Sequence, residues 1–64
     1  MDLFFVNHFS IWVMYPRSDA GREWIKDHIS EEALRWGPTG IVIEHRYVSN
    51  IVEGAQADGL TVGG

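Results

Sequence analysis

Three carboxylates fall at the spacing of one helix face. Asp19, Glu23 and Asp27 stand at i, i+4 and i+8, so a helix through them sets them in a row. Helical rise places neighbours in that row about 6 Å apart along the axis. Successive phosphates of an extended nucleic-acid strand are spaced at about 6–7 Å, so such a row can occupy a groove built for a phosphate backbone. Glu31 and Glu32 continue the negative charge past the expected helix end, while Arg22 and Lys26 interleave with the row and weaken it. The plainer reading is a solvated helix face whose acids suit the helix dipole and pair with neighbouring cations.

The other chemistry-bearing residue types form no constellation. His8, His28 and His45 share no H-E-x-x-H or i,i+4 spacing, so no metal is expected. His28 and Glu31 fit H-x-x-E, but a helix break is expected between them. Ser, His and Asp are all present without a G-x-S-x-G elbow, and the glycines never form a phosphate-cradling loop. No catalytic residue and no cofactor is expected. The pair Gly63-Gly64 is that of ubiquitin-like modifiers, yet it follows Val62 too closely to give a conjugating enzyme reach, and an ordinary frayed end is the simpler reading. Tryptophan is enriched at interface hot spots because it offers large contact area at low entropic cost. Trp12 and Trp24 read as core, whereas Trp36, beside a Gly-Pro loop, is a candidate contact residue.

Composition narrows the classes further. At 64 residues the chain is a single domain, and a domain of this size buries only roughly 60% of the surface its unfolded chain exposes. There are no cysteines, which removes disulfides, thiolate metal sites and a thiol nucleophile together and suits the reducing cytosol. Five basic against nine acidic residues give a net charge of −4, which disfavours direct nucleic-acid binding and favours a partner with a basic surface. The apolar stretch Leu3–Tyr15 lacks a basic flank and a cleavage pattern and is broken by Asn7, His8 and Ser10. As a helix it would span only about 20 Å, short of a bilayer core, so it reads as core strand.

The elements that must position these residues alternate. Residues 9–15 read as a central strand with both faces apolar, and residues 3–6 either extend it through a bulge or pair with it across a turn at Asn7-His8. Ser18 is a good N-cap for a helix to about Ile29, and Ser30-Glu31-Glu32 repeats the start signal for a short second helix to about Trp36. Residues 37–40 are loop and 41–45 a second strand. Tyr47, Val48, Ile51, Val52 and Ala55 make a helical stripe, stopped by Asp58-Gly59 with Gly59 as a left-handed cap. Residues 60–62 form a short edge strand. The predicted fold is α/β (α+β): a two-layer sandwich in β-α-α-β-α-β order, with helices on one face of a two- to three-stranded sheet. Residues 1–62 make the domain and 63–64 a flexible tail. A parallel, right-handed crossover between the main strands is favoured slightly over an antiparallel arrangement. Trp12, Trp24, Ile25, Ile43, Ile51 and Val52 are the expected core.

Residues 14–62, with Ser18-Asp19-Ala20, Trp24-Ile25, Arg35-Trp36-Gly37, Glu44-His45-Arg46-Tyr47-Val48 and Asp58-Gly59-Leu60, resemble small proteins of bacterial phages and mobile elements. In size, acidity and lack of a catalytic motif the chain is similar to phage-encoded anti-CRISPR proteins, a class without a shared motif, so no residue role carries over. The resemblance implies a stoichiometric inhibitor in the cytoplasm of a bacterial host, bound to a nucleic-acid-handling complex such as a CRISPR effector. The expectation is therefore a non-catalytic module contacting a basic protein surface through Asp19, Glu23, Asp27, Glu31 and Glu32, with Trp36 and Tyr47 as anchors. It is expected to be a monomer or homodimer and to bind neither membrane nor nucleic acid directly. The alternative is a structural or homodimeric subunit that assembles through the apolar N-terminal strand.

Overall fold

Strand-forming residues at the start of the chain fold into a hairpin. In the computed structural model, which describes residues 1–64, β1 (Leu3–His8) and β2 (Ile11–Pro16) pair antiparallel from Leu3↔Pro16 to His8↔Ile11. The turn falls on Phe9-Ser10, so neither expected alternative, a bulged extension or a turn at Asn7-His8, is found. A turn at Asn7-His8 would oppose Phe5 to Ser10, whereas the observed register opposes Phe5 to Met14, Val6 to Val13 and Phe4 to Tyr15. Matched apolar cross-strand pairs outweigh the turn preference of one asparagine. Phe9 adopts φ 62° to make this turn.

The first helix, α1 (Asp19–His28), starts where its cap predicts. The Ser18 hydroxyl accepts from the Gly21 amide at 2.9 Å, satisfying one of the orphan donors of the first turn. Gly21, Trp24 and Ile25 face the sheet. At Gly21 a side chain is excluded by approach, since a Cβ would stand 2.1 Å from the backbone oxygen of Asp2.

The expected second helix does not form. Ser30 instead closes a turn, accepting from the Glu32 amide through its hydroxyl and from the Ala33 amide through its carbonyl. Arg35–Trp36 is a short strand, β3, pairing antiparallel with β4 (Gly40–Ile43). Six residues are too few for a helix to stabilise itself in water, and the Leu34 carbonyl gains a bond from the Val42 amide at 2.9 Å. β4 runs antiparallel to β2, so the favoured parallel crossover is replaced by its alternative. The second helix, α2 (His45–Ala57), takes in His45, which was expected to end the strand. Its C-terminus is a Schellman motif: Leu60 N–H donates to Ala55, Gly59 N–H donates to Gln56, and Gly59 has φ 88°, as its sequence position predicts. β5 (Val62–Gly63) then pairs parallel with β1, taking in Gly63 opposite Phe4.

The result is an α+β fold with one mixed sheet of five strands in the order β3-β4-β2-β1-β5. The chain order is β-β-α-β-β-α-β, with more strands than the sequence pattern predicts. Leu3, Phe5, Met14, Ile41 and Ile43 form the helix-covered face and meet Trp24, Ile25 and Ala55 in the core. Of the six residues expected to be core, Trp24, Ile25 and Ile43 are buried, while Trp12, Ile51 and Val52 are half-buried against that cluster. Only Ala55 of α2 is fully enclosed, because two short helices leave the flanks of the layer open. By register the opposite face carries Phe4, Val6, His8, Ile11, Val13, Tyr15, Gly40 and Val42, and no helix covers it.

Candidate functional site

The carboxylate row lies where helix periodicity puts it, on the outer surface of α1. Asp19, Glu23 and Asp27 are exposed, and so are Glu31 and Glu32 in the turn that follows. Asp19 accepts from Arg22 at 2.6 Å, with side chains 97% and 57% exposed, so water screens the pair and it stabilises little. Glu23, Asp27, Glu31 and Glu32 enter no ion pair. Each step of four residues rotates about 40° around the axis, so the row drifts toward the flank carrying Trp24 and His28. Arg22 and Lys26 stand on the other flank. Asp19 and Glu23 thus sit beside Arg22 and Lys26, with only Asp19 paired, while Asp27 lies farther round the helix from both cations.

The expected anchors do not join this surface as a single patch. Trp36 lies against His8, with ring centroids 5.0 Å apart and planes tilted by 37°, on the sheet face away from the helices. Gly40 makes room there, since a Cβ would stand 2.8 Å from Val13 and 3.0 Å from Tyr15. On the same face Val13 is fully buried although no helix covers it. Tyr47 stays with the helices, in the groove between α1 and α2, with the Arg46 guanidinium 4.9 Å from its ring centre.

Three features escape a reading of local sequence. Asp2 binds three segments together. Its carboxylate accepts from the Ser18 hydroxyl at 2.6 Å and from the Thr61 amide at 2.8 Å, and its carbonyl accepts from the Arg17 amide at 2.8 Å. The Ser18 hydrogen bond first, and the Thr61 amide second, hold its pKa below the ordinary 3.8. These partners lie 16 and 59 residues away, and no local motif announces them. Trp24 donates its indole N–H to Asp58 at 2.8 Å and stacks on His28 at 4.3 Å, joining α1 to the end of α2. Phe9 is fully exposed at the hairpin tip, in a left-handed conformation that bulky residues rarely adopt. A fully exposed phenylalanine between two apolar strands is the one signal that sequence could have offered.

No group of three or more His, Cys, Asp or Glu side chains converges as a metal site would require. His8, His28 and His45 sit apart, against Trp36, Trp24 and Trp12 respectively. No helix is long and apolar enough to cross a membrane. Comparison with protein-family models, with curated proteins and with solved structures finds no match for this chain.

Proposed function

We propose that this chain is a small non-catalytic inhibitor that covers the basic, DNA- or RNA-engaging surface of a bacterial host-defence complex, in the manner of an anti-CRISPR protein. The observation that supports it most is that Glu23, Asp27, Glu31 and Glu32 are all exposed and enter no ion pair. Charges left unpaired on a rigid helix steer a cationic partner at long range. Tyr47 lies on the helix side of the domain and can add contact area; Trp36 lies on the other side and would meet only a partner that wraps the edge.

The test is competition between nucleic acid and this protein for purified effector complexes. Changing Asp19, Glu23 and Asp27 together to Lys should abolish competition while lowering folding stability by only about 1–2 kcal/mol through dipole and i,i+4 terms. Glu53→Lys and Gln56→Lys on α2 should leave it near normal. Association should slow as added salt brings the Debye length below about 8–10 Å. A folded triple-Lys variant that competes as well as the parent sinks the reading.

A second reading is favoured by a separate observation, the uncovered sheet face. Phe4, Val6, Ile11 and Tyr15 are half-buried there and Phe9 and Leu34 stand exposed nearby, so the chain would be a subunit assembling through its N-terminal hairpin. Sedimentation across a range of concentrations separates the readings, because only assembly makes the melting temperature concentration-dependent without a foreign partner.

A further inference from the structure

Three of the chain's five basic side chains line one groove. Arg22 and Lys26 reach it from the flank of α1 beside Asp19, and Arg35 of β3 closes it from the sheet side. The groove has a volume of about 300 Å³. Its floor is apolar, formed where Ile25 and Ile41 meet the core, and Ser30 and Thr39 bring hydroxyls to it. Glu31 is its sole lining carboxylate and Asp19 pairs with Arg22 from outside it, so Lys26 and Arg35 are the cations left without an ion partner in a chain of net −4.

Folding gains nothing from this gathering. Arg22 and Lys26 stand at i, i+4, where like charges repel. Lys26 and Arg35 enter no ion pair, and Arg22 pairs only with Asp19, which lies outside the groove. What would gain is an external anion. Guanidinium groups present paired N–H donors that match the oxygens of a phosphate, lysine adds a point charge, and hydroxyls complete such a shell. A phosphate monoester carries about −1.5 to −2 at neutral pH, which the unpaired Lys26 and Arg35 can meet. The apolar floor has no use for a bare ion, and the volume lies at the small end of ligand pockets. We propose that this groove binds a small phosphate monoester whose body is a single apolar or aromatic ring, the phosphate on Arg22, Lys26 and Arg35 and the ring over Ile25 and Ile41. The groove adjoins the carboxylate row and shares Glu31 with the inhibitor reading, and the two are separated by their tests, phenyl phosphate here and effector competition there.

Phenyl phosphate is the probe, titrated into the full chain with backbone amide and arginine Nε–H resonances followed by NMR. Saturable shifts are expected at Ser30, Glu31, Arg35 and Thr39, with a dissociation constant of about 1 mM or tighter. Phenol should produce none, and inorganic phosphate should bind several-fold more weakly. The double variant Lys26→Gln with Arg35→Gln should weaken phenyl phosphate at least about tenfold, and Glu31→Gln should strengthen it. All these side chains are exposed, and the same spectra report that the variants remain folded. Absence of saturation up to about 10 mM overturns the proposal. So does an affinity that the double variant leaves unchanged, or equal affinity for inorganic phosphate and phenyl phosphate, since the floor would then play no part.

Discussion

The helix-covered face of the sheet encloses Leu3, Phe5, Met14, Ile41 and Ile43, while the opposite face of the same strands leaves Phe4, Val6, Ile11, Tyr15 and Val42 half-exposed. The residue types are nearly the same; the difference lies in what covers them. On the covered face each side chain is removed from water by α1 and α2, and each buried methylene contributes about 0.8 kcal/mol. On the open face only Val13 reaches that state, between its cross-strand neighbours Val6 and Val42. Apolar content alone therefore does not identify the core of a domain this small. The second layer supplies the burial, and a face without one keeps its apolar surface available for contact.

The largest expected effect tests this difference directly. Ile41 is 1% exposed, and Ile41→Ala should destabilise by about 2–5 kcal/mol, a large part of what a domain of this size has. Ile43→Ala should fall in the same range. Val6→Ala on the open face should lose less than about 1 kcal/mol. Urea unfolding of the three variants measures this, and equal losses would break the distinction between the faces. The next effect concerns the exception. Val13→Ala should lose about 2 kcal/mol, nearer to a covered-face residue. The same urea unfolding checks it.

Much of the covered face can be read from the sequence, and its failures have a common cause. Ser18 and Gly59 bound their helices by local chemistry, and the run Ile41 to Ile43 forms its strand as expected. Both faces of residues 3–15 are apolar, so alternation does not set the register of the hairpin or the place of its turn; the second layer does. β3 replaces a helix because Arg35 and Trp36 gain a partner in β4, which no local window contains. The candidate site divides in the same way. The carboxylate row is a property of one helix and was legible, whereas the separation of Trp36 from Tyr47 and the convergence of Arg22, Lys26 and Arg35 are set by the tertiary fold.

A smaller effect tests how the covered layer is fastened at the edge where Asp2 joins α1 to β5. Ser18→Ala removes both the helix cap and the donor to Asp2 and should lower stability by about 1–2 kcal/mol. Asp2→Asn should lower the urea midpoint at neutral pH, and the sign of its pH dependence follows from its pKa. The folded pKa lies below 3.8, so the carboxylate's contribution is fully present above that value and is lost as pH falls through the folded one. The gap between the parent and Asp2→Asn should therefore be widest near neutral pH and close as pH falls through the folded value. A gap that widens on acidification would mean that the neutral acid makes the stronger contact.

The smallest effect has the opposite sign and falls on the open side. Phe9 holds φ 62° with its ring fully exposed, so neither its conformation nor its side chain contributes to folding. Glycine adopts the left-handed region without the Cβ clash, though it loses more entropy on folding. Phe9→Gly should therefore leave the isolated domain unchanged or stabilise it by up to about 1 kcal/mol, read as an equal or higher urea midpoint. The adjoining residues on the same face, His8 and Ile11, are half-buried, so the tip extends an apolar surface already available for contact. If assembly uses that surface, Phe9→Gly should weaken self-association in sedimentation even as the monomer gains stability. The two measurements moving in opposite directions would assign the strained residue to contact rather than to folding. A stability loss on Phe9→Gly would show instead that the ring packs within the monomer, and the open face would then lose its most exposed member.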